Sequence, residues 1–320
     1  MEAMNKRVYG ILGISSIMAN WNADFSGFPK TTSDGTVFGS DKALKYPMKR
    51  MWENEGKKVL YIKSMKLEAD KKKAEEVNLV PRSLKERYEL IFQVKDLKDC
   101  KDSGLILKNL FQAVDVKNFG ATFAESGCNI SITGAVQIGQ GLNRYEECEA
   151  EEQQILSPFR DATKTTEEKG EAKNSTLGSK IVTKEAHYFY PFVINPLAYK
   201  EYVELRVTEG YTEEDYQMFK QTSLVSTTAF ATNAKVGCEN EFAMFVETEA
   251  DLYLPNLSEY ISFEKTEGKN RIGLTCAELL DEVRDRIQKI EIYYNPYTTE
   301  IGGEQIEGAK YFNILTRKEV

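Results

Sequence analysis

Residues 115–144, DVKNFGATFAESGCNISITGAVQIGQGLNR, constrain this chain more than any other stretch. Val116, Phe119 and Phe123 recur at helical spacing, and Gly127 stands where a glycine ends a helix. From Cys128 the period becomes two. Cys128, Ile130, Ile132, Val136 and Ile138 fall on one face; Asn129, Ser131, Thr133, Ala135 and Gln137 fall on the other. The pattern predicts a helix feeding a strand with one apolar and one polar face. That strand runs into Gly139-Gln140-Gly141, where the backbone can bend sharply or approach a ligand closely.

Other elements follow from local chemistry. Residues 7–18 are β-branched and aliphatic and read as a strand, and residues 20–39 have the composition of a loop. Ser40 or Asp41 can cap a helix carrying Lys42, Lys45, Lys49 and Arg50, in which Pro47 predicts a kink or a break. Residues 57–64 read as a strand, 68–76 as charged and exposed, and 81–92 and 105–114 as helices, the latter able to run on past Asp115. Residues 186–195 form an aromatic strand, with Pro191 favouring an edge or a bulge. Thr212 with Asp215 makes a capping box, with Tyr211 able to staple onto Tyr216, for a helix reaching the Ala229 region. Residues 241–247 read as a strand. Thr275 with Glu278 predicts an amphipathic helix with Leu279, Leu280, Val283 and Ile287 inward, before a strand at 291–294. Residues 143–180 are the least regular long segment, which in a compact domain points to function or disorder.

The chemistry is bounded by what is scarce. His187 is the only histidine, so a histidine pair is impossible within one subunit, and its aromatic strand makes it a packed residue. The five cysteines are scattered, odd in number and never CxxC, which argues against a disulfide framework or a zinc site and fits the cytoplasm. Asp24, Asp34 and Asp41 have no metal-ligand spacing, and Gly134, Gly139 and Gly141 match no phosphate loop. No cofactor or metal is expected. No run is long enough to span a membrane, and residues 1–21 lack a signal-cleavage pattern. With 320 residues the chain suits one elaborated domain or two small ones. The net charge of −8 weighs against a nucleic-acid binder, but residues 42–73 hold eleven Lys/Arg against four Asp/Glu. Residues 146–152, EECEAEE, carry five acids and no base. Either run can be plain solvated surface, yet a basic face on an acidic protein still attracts phosphates locally. What remains is a binding surface.

The run DVKNFGATFA, a short turn and ITGAVQIGQGLNR resembles the backbone subunit of type I CRISPR Cascade complexes, the Cas-seven family, with the subtype-B (Csh-type) branch nearest. WNADFSGFPKT, DGTVFGSDKALKYPMKRMW and TLGSKIVTKEAHYFYPFVINPLAY agree in the same order, covering most of the first two hundred residues. The elements thin to strand, helix, strand, strand, helix, strand, an order that permits a ferredoxin-like fold. The resemblance selects it. It implies an α+β fold with one RRM-like palm over residues 1–320, a finger-type insertion at 20–104 and a thumb-type insertion at 143–180.

The resemblance also implies a guide-RNA surface. Ser40, Lys42, Lys45, Lys49 and Arg50 lie where the family contacts the guide backbone, and lysine and arginine suit phosphates. Without the resemblance they would equally be an exposed helix face. Asn22 and Asp24 lie in the family's first loop, although the Asn-Pro-Asn-Gly-Asp-Pro run frequent there is missing. Gln137, Asn143 and Arg144 at the Gly-rich strand end, and Lys180 after Leu177-Gly178, complete the expected contacts. The implied role is a non-catalytic subunit, repeated head to tail along a CRISPR RNA. It presents bases to a target DNA strand beside other Cascade subunits, with no membrane partner. Two alternatives stand: a type III-like subunit cutting target RNA through Asp24, and a generic single-strand RNA-binding module.

Overall fold

The computed structural model describes residues 3–70, 76–100, 102–156 and 177–320. In chain order, β1 (Lys6–Ala19) leads through a long loop to β2 (Phe38–Gly39) and α1 (Asp41–Asn54). The hairpin β3 (Met65–Ala69) and β4 (Val77–Pro81) precedes α2 (Leu84–Phe92), α3 (Ser103–Gln112) and α4 (Val114–Phe119). Short strands follow: β5 (Gly120–Glu125), β6 (Cys128–Thr133), β7 (Val136–Ile138) and β8 (Gly141–Asn143). Then come β9 (Ala150–Leu156), the long β10 (Leu177–Ile194), α5 (Lys200–Glu204), α6 (Glu213–Ser223), α7 (Ser226–Ala229) and β11 (Cys238–Glu249). The C-terminal part holds β12 (Ile261–Glu264), β13 (Asn270–Leu274), α8 (Ala277–Asp281), β14 (Ile287–Tyr294), β15 (Thr299–Gly303) and β16 (Ala309–Asn313).

One nine-stranded sheet organises the chain, in the order β16-β14-β11-β1-β10-β8-β2, with β7 and β9 also paired to β10. β1 lies between β10 and β11, antiparallel to both, and β7 is antiparallel to β10. Period-two alternation gives the sheet two buried faces. Val8, Leu12 and Ile14 of β1 join Tyr188, Tyr190, Phe192 and Ile194 of β10 under the helices. Tyr9 and Ile11 join Phe189, Phe242 and Met244 in a second cluster, roofed by the small sheet β12-β13-β15 and by α8. Pro191 is not at an edge. Its carbonyl accepts the Gly139 N–H at 2.8 Å, so its missing N–H faces the break between β7 and β8 rather than β1.

Several expectations need correction. The helix of the 115–144 stretch stops at Phe119, because Gly120 takes φ 81° and turns the chain into a strand. Phe123 therefore lies in β5, and Gly127 with Ser126 forms the left-handed pair of a tight hairpin turn into β6. The single strand expected at 128–138 is two strands in different sheets, β6 and β7. Residues 57–64 form no strand; Leu60 and Tyr61 donate their N–H groups to Asp115 at 2.8 and 2.7 Å. The helix expected from Pro81 begins at Leu84, capped by Ser83 and Glu86. α1 runs through Pro47, whose ring is buried beside Leu44 and Met48, so packing outweighs the break that proline favours. The Thr212–Asp215 box forms as expected, but α6 ends at Ser223. Thr275 caps nothing: its N–H and hydroxyl both reach the Tyr260 carbonyl, and α8 lasts five residues before Ile287 opens β14. The segment expected at 143–180 contains β9 and the start of β10; residues 157–176 lie outside the described residues.

Candidate nucleic-acid interface

α1 is fixed at its start by four side chains. The Ser40 hydroxyl accepts the Ala43 N–H at 3.3 Å, and the Asn22 side-chain oxygen accepts the Ser40 N–H at 2.7 Å. The Trp21 indole donates to the Tyr190 hydroxyl at 2.5 Å, and the pair sits so close to Gly39 that a Cβ there would lie 1.7 Å from that hydroxyl. Asn22 and Ser40 are thus occupied in placing the helix. The buried stripe Leu44, Pro47, Met48 and Trp52 seats α1 on the helix-side core, where Trp52 donates to Thr222 at 2.7 Å and stacks on Phe119.

Lys42, Lys45 and Lys49 share the adjoining stripe and line a groove of about 640 Å³ with Asp41, Tyr46, Tyr61, Phe119, Thr122 and Ile132. Lys42 is exposed. Lys45 pairs with Asp41 at 2.9 Å and stands 5.0 Å from the Phe119 ring. Lys49 is inset: it donates to the Tyr61 carbonyl at 3.3 Å and lies 3.9 Å from the buried Asp115. Burial lowers its pKa, against the pull of Asp115. Burial, helped by Asp115, pushes the Tyr61 hydroxyl up to about 12, and that hydroxyl donates to the Thr122 carbonyl at 2.6 Å. The groove therefore offers ammonium groups above aromatic walls, a combination that suits a phosphodiester chain carrying flat bases. Arg50 is turned away. It pairs with Glu53 at 2.6 Å, donates to the Tyr46 hydroxyl and lines a separate cleft with Ser226 and Phe230.

The other expected contacts are not in this groove. Gln137 emerges on the opposite face of the sheet, donates to the Gly134 carbonyl at 2.8 Å, and lines a cleft with Leu254 and Pro255. Asn143 accepts the His187 N–H at 2.8 Å and bonds both ways with Tyr145. Arg144 reaches the Ser258 carbonyl at 2.8 Å. Lys180 pairs with Gln153 in the β9–β10 ladder. The sheet thus separates Gln137 and Arg144 from the lysines of α1.

A family model described as CRISPR-associated protein Cas7 matches residues 6–279. The chain belongs to the Cas7 family. Its fold resembles a solved chain of "CRISPR RNA-guided surveillance complex, pre-nicking", at TM-score 0.53 and 13% identity, over 93% of this chain and 96% of that one. A chain of "CRISPR RNA-guided surveillance complex" matches at TM-score 0.50 and 14% identity, over 92% and 91%. No curated protein matches. In this Cas7 chain the first-loop aspartates serve turns. Asp24 accepts the Ser26 N–H, the Ser26 hydroxyl and the Phe28 N–H, and the Ser26 hydroxyl leads in holding its pKa down. Asp34 does the same for Thr32 and Thr36. Among the described residues no three His, Cys, Asp or Glu side chains gather as a metal site, and no helix is long and apolar enough to cross a membrane. Tyr46 and Tyr61 line the groove and Asp115 lies buried beneath it, and none of the three is singled out by sequence. Asp115 opened the most informative stretch, but its target, the backbone of Leu60 and Tyr61, lies more than fifty residues away.

Proposed function

We propose that this chain is the repeated backbone subunit of a type I-B-like Cascade, holding the phosphates of a CRISPR RNA in the α1 groove. The observation that carries the reading is the row Lys42, Lys45 and Lys49 over an aromatic-walled groove in a Cas7 chain. Held by its backbone, the guide keeps its bases free to pair with target DNA, so sequence reading passes to base pairing. The strands β11-β1-β10-β7, with the helices between them, are read as a ferredoxin-like, RRM-like palm over residues 1–320. Residues 20–104 act as fingers and 143–180 as a thumb. Copies associate head to tail in a non-closing helical array, beside the other Cascade subunits, in the cytoplasm.

Replacing Lys42, Lys45 and Lys49 by Ala tests this. Each phosphate that is no longer neutralised makes the log–log salt dependence of single-strand binding shallower by about 0.7, so the slope of the triple variant falls by roughly two units. Arg50→Ala, facing the other cleft, is the control. An unchanged slope in the triple variant removes the groove from the interface. The subunit is read as non-catalytic. The assembled complex with magnesium or manganese leaves complementary labelled RNA intact, and cleavage that disappears in Asp24→Ala would establish the type III-like alternative.

A further inference from the structure

A second groove, of about 880 Å³, lies beyond the C-terminal end of β10. Lys57, Lys58, Lys108 and Arg206 line it, all exposed, and none pairs with a carboxylate among the described residues. Lys58 is held by Gln112 at 2.7 Å, and Arg206 is presented by a left-handed backbone at φ 58°. Phe111, Val114, Val203, Val207 and Met218 supply apolar lining. The carboxylates at its rim, Glu209 and Asp215, are both engaged by Lys117. The net field inside is basic on a protein of net charge −8.

The acidic run 146–152 lies toward the other end of the same strand, beside Ile181–Thr183. It enters β9, where Ala150 pairs with Thr183 of β10. Of Glu146, Glu147, Glu149, Glu151 and Glu152, only Glu149 has a cationic partner among the described residues, Lys184 at 2.7 Å. The groove end is tied to the far end of β10: Asn195 donates to Ala135, and the Tyr199 hydroxyl accepts from Ala135 and donates to the Lys117 carbonyl. Thr183 and Ile194 are eleven residues apart on one strand, which separates acid and base by roughly 36 Å at about 3.3 Å per residue. The two cannot meet within one chain.

We infer that the basic groove of one copy receives the acidic run of the next, so that opposite charge at the two ends of β10 sets the direction of stacking. This rests on the head-to-tail reading above and adds the contact that makes it. A carboxylate-rich turn suits the groove in size, and its exposed Ala150 can meet the apolar lining, while Cys148 packs on the core of its own chain.

The test is charge exchange in the full-length chain, assembled on CRISPR RNA and followed by mass photometry and electron microscopy. One variant carries Lys57→Glu, Lys58→Glu, Lys108→Glu and Arg206→Glu. Another carries Glu146→Lys, Glu147→Lys, Glu151→Lys and Glu152→Lys. Each alone raises the protein concentration for half-maximal assembly by about tenfold or more, because like charges then face each other. Both sets in one chain restore assembly. Glutamine at the four groove positions weakens assembly less, and unchanged circular dichroism of every variant excludes misfolding. Normal assembly by the Glu→Lys variant alone overturns the contact. So does failure of the combined variant to recover while the groove variant loses affinity for a short single-stranded RNA, which would make the groove a nucleic-acid site. Absence of any assembly by the unmodified chain sinks the head-to-tail reading itself, a result separable from the others.

Discussion

His187 offers the sharpest test of how the small sheet β12-β13-β15 is clamped to the large one. It sits buried on β10 with Nδ1 2.8 Å from Glu241 of β11 and Nε2 3.2 Å from Glu185. Phe263 of β12 stacks on the ring at 3.6 Å and 18°, Tyr145 stands at 6.0 Å, and Lys265 pairs with the same Glu185. Burial alone would lower the imidazole pKa, but Glu241 and Glu185 outweigh it and raise it above the ordinary value. Below that raised pKa the histidine is held as an imidazolium. Because its pKa is raised on folding, its contribution is fully present below about pH 6.5, the unfolded value, and is lost as pH rises through the folded pKa. Glu185 is shifted the other way: burial opposes ionisation, but Lys265 and His187 lower its pKa, so its contribution fades only on acidification. His187→Ala leaves Glu241, only 8% exposed, without its counter-charge, and breaking a buried pair of this kind costs about 3–5 kcal/mol. The urea midpoint should fall accordingly at pH 6, and by less at high pH, where the unmodified protein has itself lost the charge. Equal losses at pH 6 and pH 9, or a loss below about 1 kcal/mol, would refute the clamp.

Two further outcomes follow from other contacts. Asp115→Ala orphans the N–H groups of Leu60 and Tyr61, at about 1–3 kcal/mol each, and removes the carboxylate facing Lys49; the variant should melt lower and bind CRISPR RNA more weakly, while an unchanged melt would show that the segment is held elsewhere. Replacing residues 157–176 with a short Gly-Ser linker should leave a folded monomer that forms no ordered arrays on RNA, and normal arrays by electron microscopy would show that stacking does not need the segment.

The elements that were legible in the sequence are those whose signals are local. The Thr212–Asp215 box needs four residues and no neighbours, and it forms. Thr275 and Glu278 present a similar pattern, but Thr275 is already taken by the Tyr260 carbonyl, a partner no window contains. Phe123 kept helical spacing with Phe119 by coincidence, and the left-handed Gly120 between them decided otherwise. The basic character of α1 was visible, whereas the turning away of Arg50 depends on Tyr46, Glu53 and the α7 side of the fold. Gln137 and Arg144 were grouped with the lysines by sequence, and only the thickness of a sheet separates them.

The continuity of β10 has a consequence for how such a chain can change. One unbroken strand pairs with β9 at one end, with β1 from Thr183 to Ile194, and delivers Ile194 to β7 at the other end. Inserting one residue between Thr183 and Ile194 would reverse every side chain beyond it, sending the tyrosines of the helix-side core into the opposite core and His187 or its carboxylates to the wrong face. Only steps of two preserve parity, and each would lengthen the distance between the ends by about 6.6 Å. The strand thus acts as a gauge with discrete marks, and any repeat distance built on it can shift by jumps but not by drift.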